Sequence, residues 1–268
     1  MLKEYFQKIL SEYESVKENK IWDCSVVNLL KTDLPREIKK LTNLDLRYLF
    51  EGSVGHGNFS EVPWFRIYEE EISPSAQEEY YIVYLFDAKM QGVYISLNQG
   101  VTQYNELYGP SATQMMRKNT RKLRSKIKTL PEGLSFEEIN LNAKQKLGND
   151  YELCHICGKY YPAGKIPEDS ILLEDLKKLI KVYEEFKEII GNSVLNVDEN
   201  YTPEEIEEIR IKNKKSKGKD FTEKENLETL IRLRNWIKSY ENNLDNESSD
   251  EDYRKWKEKV EEIEERKD

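Results

Sequence analysis

Residues 52–64 read Gly-Ser-Val-Gly-His-Gly-Asn-Phe-Ser-Glu-Val-Pro-Trp, and two apolar runs follow, Tyr80-Tyr-Ile-Val-Tyr-Leu-Phe86 and Gly92-Val-Tyr-Ile-Ser-Leu-Asn-Gln-Gly100. Glycines at 52, 55 and 57 surround His56. Because glycine tolerates positive φ and close backbone approach, this pattern predicts a loop that projects its central side chain. The two runs predict strands rich in tyrosine. A projecting loop beside an aromatic surface is suited to gripping a flat ring such as a nucleobase.

The sequence on either side predicts further strands and helices. Apolar spacing predicts a helix over residues 2–20, a short helix between 28 and 50, a helix over roughly 111–128 and an amphipathic helix over 169–190. Residues 64–68 predict one more strand, and residues 151–161 could supply another. The expected fold class is α+β, with a mixed, mainly antiparallel sheet flanked by helices and a charged helical C-terminal appendage.

A change in composition after Gly191-Asn192 predicts a domain boundary, which gives a domain over 1–191 and a tail over 192–268. Within the tail we expect a basic run at 212–219, a helix at about 222–240, a polar linker at 241–250 and a charged helix at 253–267. Leucine, isoleucine and tryptophan residues between 227 and 237 could form a small helical hairpin.

The charge is unevenly distributed. The net charge is −9, and about −6 of it falls in residues 191–268, so the first 190 residues carry only about −3. Residues 117–128, Arg-Lys-Asn-Thr-Arg-Lys-Leu-Arg-Ser-Lys-Ile-Lys, hold seven basic side chains and no acid. Phosphate contacts act at short range through salt, so this local stripe permits DNA binding despite the acidic total.

The remaining composition bounds compartment and chemistry. Three cysteines are too few for a disulfide framework, and no apolar run is long enough to span a membrane, so we expect a cytoplasmic protein. Phosphate-loop, nucleophile-elbow and zinc-deaminase motifs are absent, and only two histidines occur. Cys154-His155-Ile156-Cys157 invites a zinc interpretation, but buried small side chains in a strand are the more ordinary one. We therefore expect a binding protein with no cofactor, no metal and no catalytic residue.

Two groups of residues have a structural and a functional interpretation. Tyr80, Tyr84 and Trp64 are either packing residues of a sheet or the wall of a pocket for a base. The basic helix is either a solvated face or a phosphate-binding surface, and the residues concerned are Arg117, Lys118, Arg121, Lys122 and Arg124. We favour the phosphate-binding interpretation for the helix, and His56 at a loop tip has little packing role.

These residues resemble a known family, the N-terminal DNA-recognition domain of McrB, from methylcytosine-dependent restriction. The resemblance rests on Val54-Gly-His-Gly-Asn-Phe-Ser-Glu-Val-Pro-Trp-Phe65, on the strands at 80–86 and 94–100, and on Ile156-Cys-Gly-Lys-Tyr-Tyr161 with Ile166-Pro167. It covers about residues 1–190. In the family an aromatic side chain stands between the two loop glycines, whereas here that position holds the smaller His56.

The resemblance implies a domain that binds double-stranded DNA and flips 5-methylcytosine into a pocket. It implies base or DNA contacts for His56, Gly57, Asn58, Phe59, Trp64, Tyr80 and Tyr84, and the motif leaves open whether Tyr80 or Tyr81 takes the pocket position. The family's best-known member continues into a GTP-hydrolysing motor that recruits a nuclease subunit. The expected partners are therefore DNA with a modified cytosine and a GTPase or nuclease, supplied in trans or by a longer chain.

Two other functions remain open on the sequence. One is a metal-dependent endonuclease whose acidic site lies in residues 195–268 or at Glu69-Glu70-Glu71. The other is an interaction scaffold in which the tail is the functional part. We expect a reader of modified DNA that belongs to a defence system.

Overall fold

The computed structural model describes residues 1–197 and 250–265, together with Leu233, Arg234, Ile237 and Glu241. The strands are β1 (Tyr48–Ser53), β2 (Trp64–Glu69), β3 (Tyr80–Phe86), β4 (Gly92–Gln99) and β5 (His155–Pro162). The α-helices are α1 (Leu2–Glu18), α2 (Ser25–Asn28), α3 (Leu34–Thr42), α4 (Thr102–Tyr108), α5 (Ala112–Lys126), α6 (Lys146–Leu153), α7 (Asp169–Ile190) and α8 (Asp250–Glu265). A π-helical turn at Leu29–Asp33 joins α2 to α3.

The strands form one antiparallel sheet in the order β1-β2-β3-β4-β5. This meander needs only short connections between β1 and β4, while helices fill the longer connection to β5. The predicted α+β class is confirmed, as are the strands at 64–68, 80–86 and 92–98 and the helices at 2–20, 111–128 and 169–190. The strand predicted within 151–161 begins only at His155, because 146–153 form α6. β1 and α4 were not predicted.

One face of the sheet, here the α1–α7 face, is covered by α1, α7 and the α2–α3 segment. Its core is apolar and rich in aromatic rings. Phe6 of α1 packs against Tyr84 at 5.2 Å and Phe86 at 5.7 Å, and Tyr80 packs against Tyr183 and Phe186 of α7. Burial of such rings is the main source of stability for this face.

The opposite face, here the α4–α6 face, is covered by α4, α5 and α6. It buries more polar side chains. Gln99 donates to Thr120 at 2.9 Å, Asn119 donates to Tyr104 at 3.2 Å, and Nδ1 of His155 lies 2.7 Å from Oγ of Ser96. Buried polar groups need such partners, because an unpaired one costs about 1–3 kcal/mol.

The strand register defines two ends of the sheet. At one end Ser53 pairs with Trp64, Trp64 with Leu85, Leu85 with Tyr94 and Tyr94 with Tyr160. We call this the loop end, because it carries the β1–β2 connection that contains His56. At the far end Tyr48 pairs with Glu69, Tyr80 with Gln99 and Asn98 with His155.

Beyond α7, residues 193–195 still pack on the domain, since Glu79 accepts hydrogen bonds from the Ser193 hydroxyl and the Val194 amide. In the tail, α8 agrees with the helix predicted at 253–267, and Trp256 packs with Leu233. The basic run at 212–219 and most of the helix at 222–240 and of the linker at 241–250 lie outside the described residues. No helix of the described residues has the length and apolar character of a membrane span.

Candidate nucleic-acid interface

The β1–β2 connection forms a loop that is closed at its base. The Ser60 amide donates to the Val54 carbonyl at 2.7 Å, and the buried Tyr13 hydroxyl of α1 lies 3.3 Å from the Val54 oxygen and 2.9 Å from the Ser60 oxygen. Gly55 has φ +103°, and a Cβ there would lie 2.2 Å from the Asn58 carbonyl oxygen. Only glycine fits at position 55. The hydrogen bonds of Tyr13 and Ser60 hold the two ends of the loop on the core.

The tip of this loop is open to solvent. His56, Gly57 and Asn58 are all exposed, and a Cβ built on Gly57 (φ +71°) would meet no atom within 4 Å. Phe59 leans back toward the core, where its ring lies 6.1 Å from Tyr13. The structure thus places His56 as a projecting side chain on an anchored base, as the glycine pattern predicts.

Trp64 begins β2 directly after this loop and faces the α4–α6 side. It is half-buried and packs against the cluster under α4–α6, which also holds Tyr151. Tyr81 and Leu85 of β3 belong to the same cluster, and Tyr94 of β4 packs against it. Trp64, Leu85 and Tyr94 are aligned across three strands at the loop end.

Tyr80 and Tyr84 lie elsewhere. Both point into the α1–α7 face with exposures of 0% and 1%, and the Tyr80 hydroxyl donates to the Gly191 carbonyl at 2.7 Å. Successive side chains of a strand alternate between faces, so neither can line one pocket with Trp64. The structure does not bring Trp64, Tyr80 and Tyr84 together, and of the two alternatives at 80 and 81 it places Tyr81 on the Trp64 side.

The basic residues of α5 divide into two kinds. Arg117 and Arg121 are exposed, and Lys118 and Lys122 are half-buried. Arg124 turns inward, and its guanidinium donates to the carbonyls of Ile156 at 2.9 Å and His155 at 2.8 Å. Burial lowers the pKa of Arg124. Arg124 is therefore part of the fold, whereas Arg117 and Arg121 face outward.

A concavity on the α4–α6 side is lined by Arg117, Arg121 and Arg124, with Glu138 and Glu152 opposite them. This mixed lining holds both signs of charge. The contacts of Arg124 place it at the far end of the sheet, beside the start of β5, whereas His56 projects from the loop end. The His56 loop and the basic residues of α5, which were both predicted to contact DNA, therefore lie in different parts of the domain.

The Cys-His-Ile-Cys segment is part of the core. Cys154 packs on the α4–α6 side, Cys157 packs on the α1–α7 side, and His155 pairs with Ser96. Burial raises the pKa of Cys157 to about 12 and lowers that of His155 to about 3. Within the described residues no group of three or more His, Cys, Asp and Glu side chains is arranged to hold a metal ion. Glu69, from the acidic run at 69–71, is buried and paired with Lys187 at 2.6 Å.

Sequence reasoning missed two aromatic positions near the loop, Tyr94 and Trp22. Tyr94 is aligned with Trp64 across β3, and this alignment is visible only when the strand register is known. Trp22 had no such signal, because it lies in the connection between α1 and α2. Its ring stacks on Phe59 at 4.0 Å with an interplanar angle of 24°.

No curated protein and no solved structure matches the chain. The model of one family, described as the MrcB-like N-terminal domain, matches residues 8–188. That family is a DNA-binding N-terminal domain rather than a catalytic one. The match covers more than half of the chain and includes every strand of the described residues, the anchored loop and α5, so the chain belongs to the MrcB-like N-terminal domain family.

Proposed function

We propose that this protein reads modified cytosine in double-stranded DNA by base flipping, as the recognition component of a modification-dependent restriction system. One observation carries the proposal: an anchored, exposed loop with His56 at its tip leads directly to the half-buried Trp64 at the same end of the sheet. His56 enters the duplex at the target base pair, and the extruded base moves toward Trp64 on the α4–α6 side.

The chemistry of the Trp64 side supports a base pocket there. Extruding a base costs a few kcal/mol, and stacking on an aromatic ring returns about 1–3 kcal/mol. Trp64 is a half-buried ring that packs against a cluster holding Tyr81, Leu85 and Tyr151. One buried methyl group contributes only about 0.8 kcal/mol, so discrimination against plain cytosine is expected to be several-fold per site.

The exposed arginines of α5 contribute a separate, sequence-independent term. Arg117 and Arg121 neutralise phosphates, with Lys118 and Lys122 as further candidates, whereas Arg124 holds α5 on β5. Cleavage is supplied by a GTPase or nuclease partner, in trans or in a longer chain. Among the described residues nothing favours the nuclease alternative, since Glu69 is already paired with Lys187.

The proposal is tested with three duplexes that carry cytosine, 5-methylcytosine or 5-hydroxymethylcytosine at one central position. The wild-type protein is expected to bind a modified duplex several-fold more tightly. Trp64→Ala should remove that preference, and Tyr84→Phe, on the opposite face, should keep it. Equal binding of all three duplexes by the wild-type protein would contradict the proposed reading of modification.

A further inference from the structure

Trp22 is an exposed tryptophan held next to the His56 loop. It is 37% exposed, and the neighbouring Ile21 is 45% exposed. Its indole stacks on Phe59, which in turn contacts the buried Tyr13. The three rings form a ladder from the core to the surface, and Trp22 is its outermost member.

The backbone fixes Trp22 in this position. α1 ends with Lys20 in the left-handed region (φ 53°), where the Lys20 amide donates to the Lys17 carbonyl and the Ile21 amide donates to the Val16 carbonyl. This is the Schellman arrangement, which usually relies on glycine at that position. The segment that carries Trp22 therefore leaves the helix along a defined path, and the exposed indole is already ordered before any ligand binds.

Two partly exposed tryptophans are thus associated with the two faces of the sheet. Phe59, under Trp22, packs against the core of the α1–α7 face, whereas Trp64 belongs to the cluster of the α4–α6 face. When one base of a pair is extruded, the base opposite it loses its pairing partner, and its ring face becomes available to another aromatic surface if it leaves the stack.

We propose that the exposed indole of Trp22 is a stacking platform for a second nucleobase, the one opposite the flipped target. This rests on the proposed function, because Trp22 acts only when the loop opens a base pair. The nucleobase continues the ladder of Tyr13, Phe59 and Trp22 by one ring. Stacking on tryptophan tolerates any base, so Trp22 adds affinity for the opened pair without reading sequence.

A cycle of protein and DNA changes tests the proposal. The 5-methylcytosine duplex is prepared with guanine opposite the target and with an abasic site at that position, and each is titrated with the wild-type protein and with Trp22→Ala. The abasic site changes the affinity of each protein by some factor. We expect that factor to weaken binding of the wild-type protein on the order of tenfold more than binding of Trp22→Ala, because only the wild-type protein loses a base–aromatic stack. Trp22→Phe should retain most of the wild-type difference.

A purely structural Trp22 would give another result. If the indole only holds Phe59 and the loop, Trp22→Ala weakens binding to both duplexes by the same factor, and that outcome overturns the proposal. Thermal unfolding of Trp22→Ala shows whether the variant is folded. If it is not, the same comparison is made with Trp22→Leu, which lacks an aromatic ring, and a response to the abasic site equal to that of the wild-type protein overturns the proposal. The proposed function is judged separately, by the preference of the wild-type protein for 5-methylcytosine over cytosine with guanine opposite.

Discussion

Tyr80 and Tyr81 are neighbours on β3, but their side chains belong to two differently built halves of the domain. Tyr80 lies among Tyr183 and Phe186 in the apolar core under α7. Tyr81 lies on the side where Arg66 is buried, with the guanidinium 5.6 Å from the Tyr81 ring, and where Gln99, Asn119 and His155 are buried as polar groups. One face is thus a scaffold held by aromatic packing, and the other combines packing with polar networks and the half-exposed Trp64.

This contrast suggests a division of labour. The α1–α7 face supplies stability and anchors the loop through Tyr13. The α4–α6 face carries the candidate contacts, because Trp64, Arg117 and Arg121 all lie on that side of the sheet. Buried changes on the first face should therefore act on folding, and exposed changes on the second should act on binding.

The largest effect is expected from Tyr84→Ala, in the scaffold. Tyr84 is 1% exposed and contacts Phe6 and Phe65, so its truncation leaves a cavity and should lower the free energy of unfolding by about 3–5 kcal/mol. Urea unfolding measures the loss. The folded fraction of Tyr84→Ala should still bind a modified duplex more tightly than the cytosine duplex. Loss of this preference without loss of stability would contradict the assignment of Tyr84 to the scaffold face.

Acid should destabilise the polar face through His155. Burial lowers its pKa to about 3, so the native state keeps it neutral while the unfolded chain takes up a proton below pH 6.5. Stability is therefore full above pH 6.5 and is lost as the pH falls toward 3, by up to about 1.4 kcal/mol per pH unit from this group. Urea unfolding at pH 7 and pH 5 should give a smaller difference for His155→Gln than for the wild-type protein.

The other histidine provides the matched control. His56 is exposed at the loop tip, so His56→Gln should leave the free energy of unfolding at pH 7 unchanged. Equal pH dependence in the wild-type protein and in His155→Gln would show that His155 does not carry this part of the acid sensitivity.

A smaller effect is expected at Glu61, which joins the β1–β2 connection to the start of α6. Its two carboxylate oxygens accept hydrogen bonds from the backbone amides of Lys144 at 2.9 Å and Gln145 at 2.8 Å, at the start of α6. Glu61→Ala removes this cap and should cost about 1 kcal/mol of stability, measured by urea unfolding. Glu61→Gln can still accept one hydrogen bond, so its stability should lie between those of the wild-type protein and Glu61→Ala. An equal loss in both variants would show that the carboxylate charge, rather than the hydrogen bonds, provides the stabilisation.

The smallest effect on stability is expected for the double variant Arg117→Glu and Arg121→Glu, because both side chains are exposed. Its binding to all duplexes should weaken equally, and the slope of log affinity against log salt should fall by about one unit per lost phosphate contact. Lys181→Glu, an exposed cation of α7 on the scaffold face, is the control and should change neither quantity. An unchanged salt slope in the arginine variant would exclude these two residues as phosphate contacts.

The sequence was informative where the pattern has a clear period. The stripe of α1, the long amphipathic run of α7 and the tyrosine-rich runs of β3 and β4 were found where they lie. β1 was missed because Tyr48–Ser53 is short, contains a glycine and alternates weakly between buried and exposed positions. α6 was missed because its eight residues are mostly polar on the outside and continue directly into β5.

The candidate site could be predicted only in part, for a physical reason. The glycines around His56 predict the projecting loop, and Pro63-Trp64 predicts the start of the strand that follows it. All seven residues of β3 are buried, so the alternation that normally identifies the face of a strand is absent. Nothing local could then show that Tyr81, rather than Tyr80 or Tyr84, shares a face with Trp64. The inward turn of Arg124 likewise depends on two carbonyls of β5, more than thirty residues away.

The hydrogen bonds at the base of the β1–β2 loop make the tip of the loop independent of the contacts that stabilise the domain. The hydrogen bonds of Tyr13 and Ser60 end at Val54 and Ser60, and Gly57 at the tip has open space around it. Substitution of His56 therefore removes no contact that the core needs. A larger or smaller side chain can therefore stand at position 56 without a compensating change elsewhere in the fold.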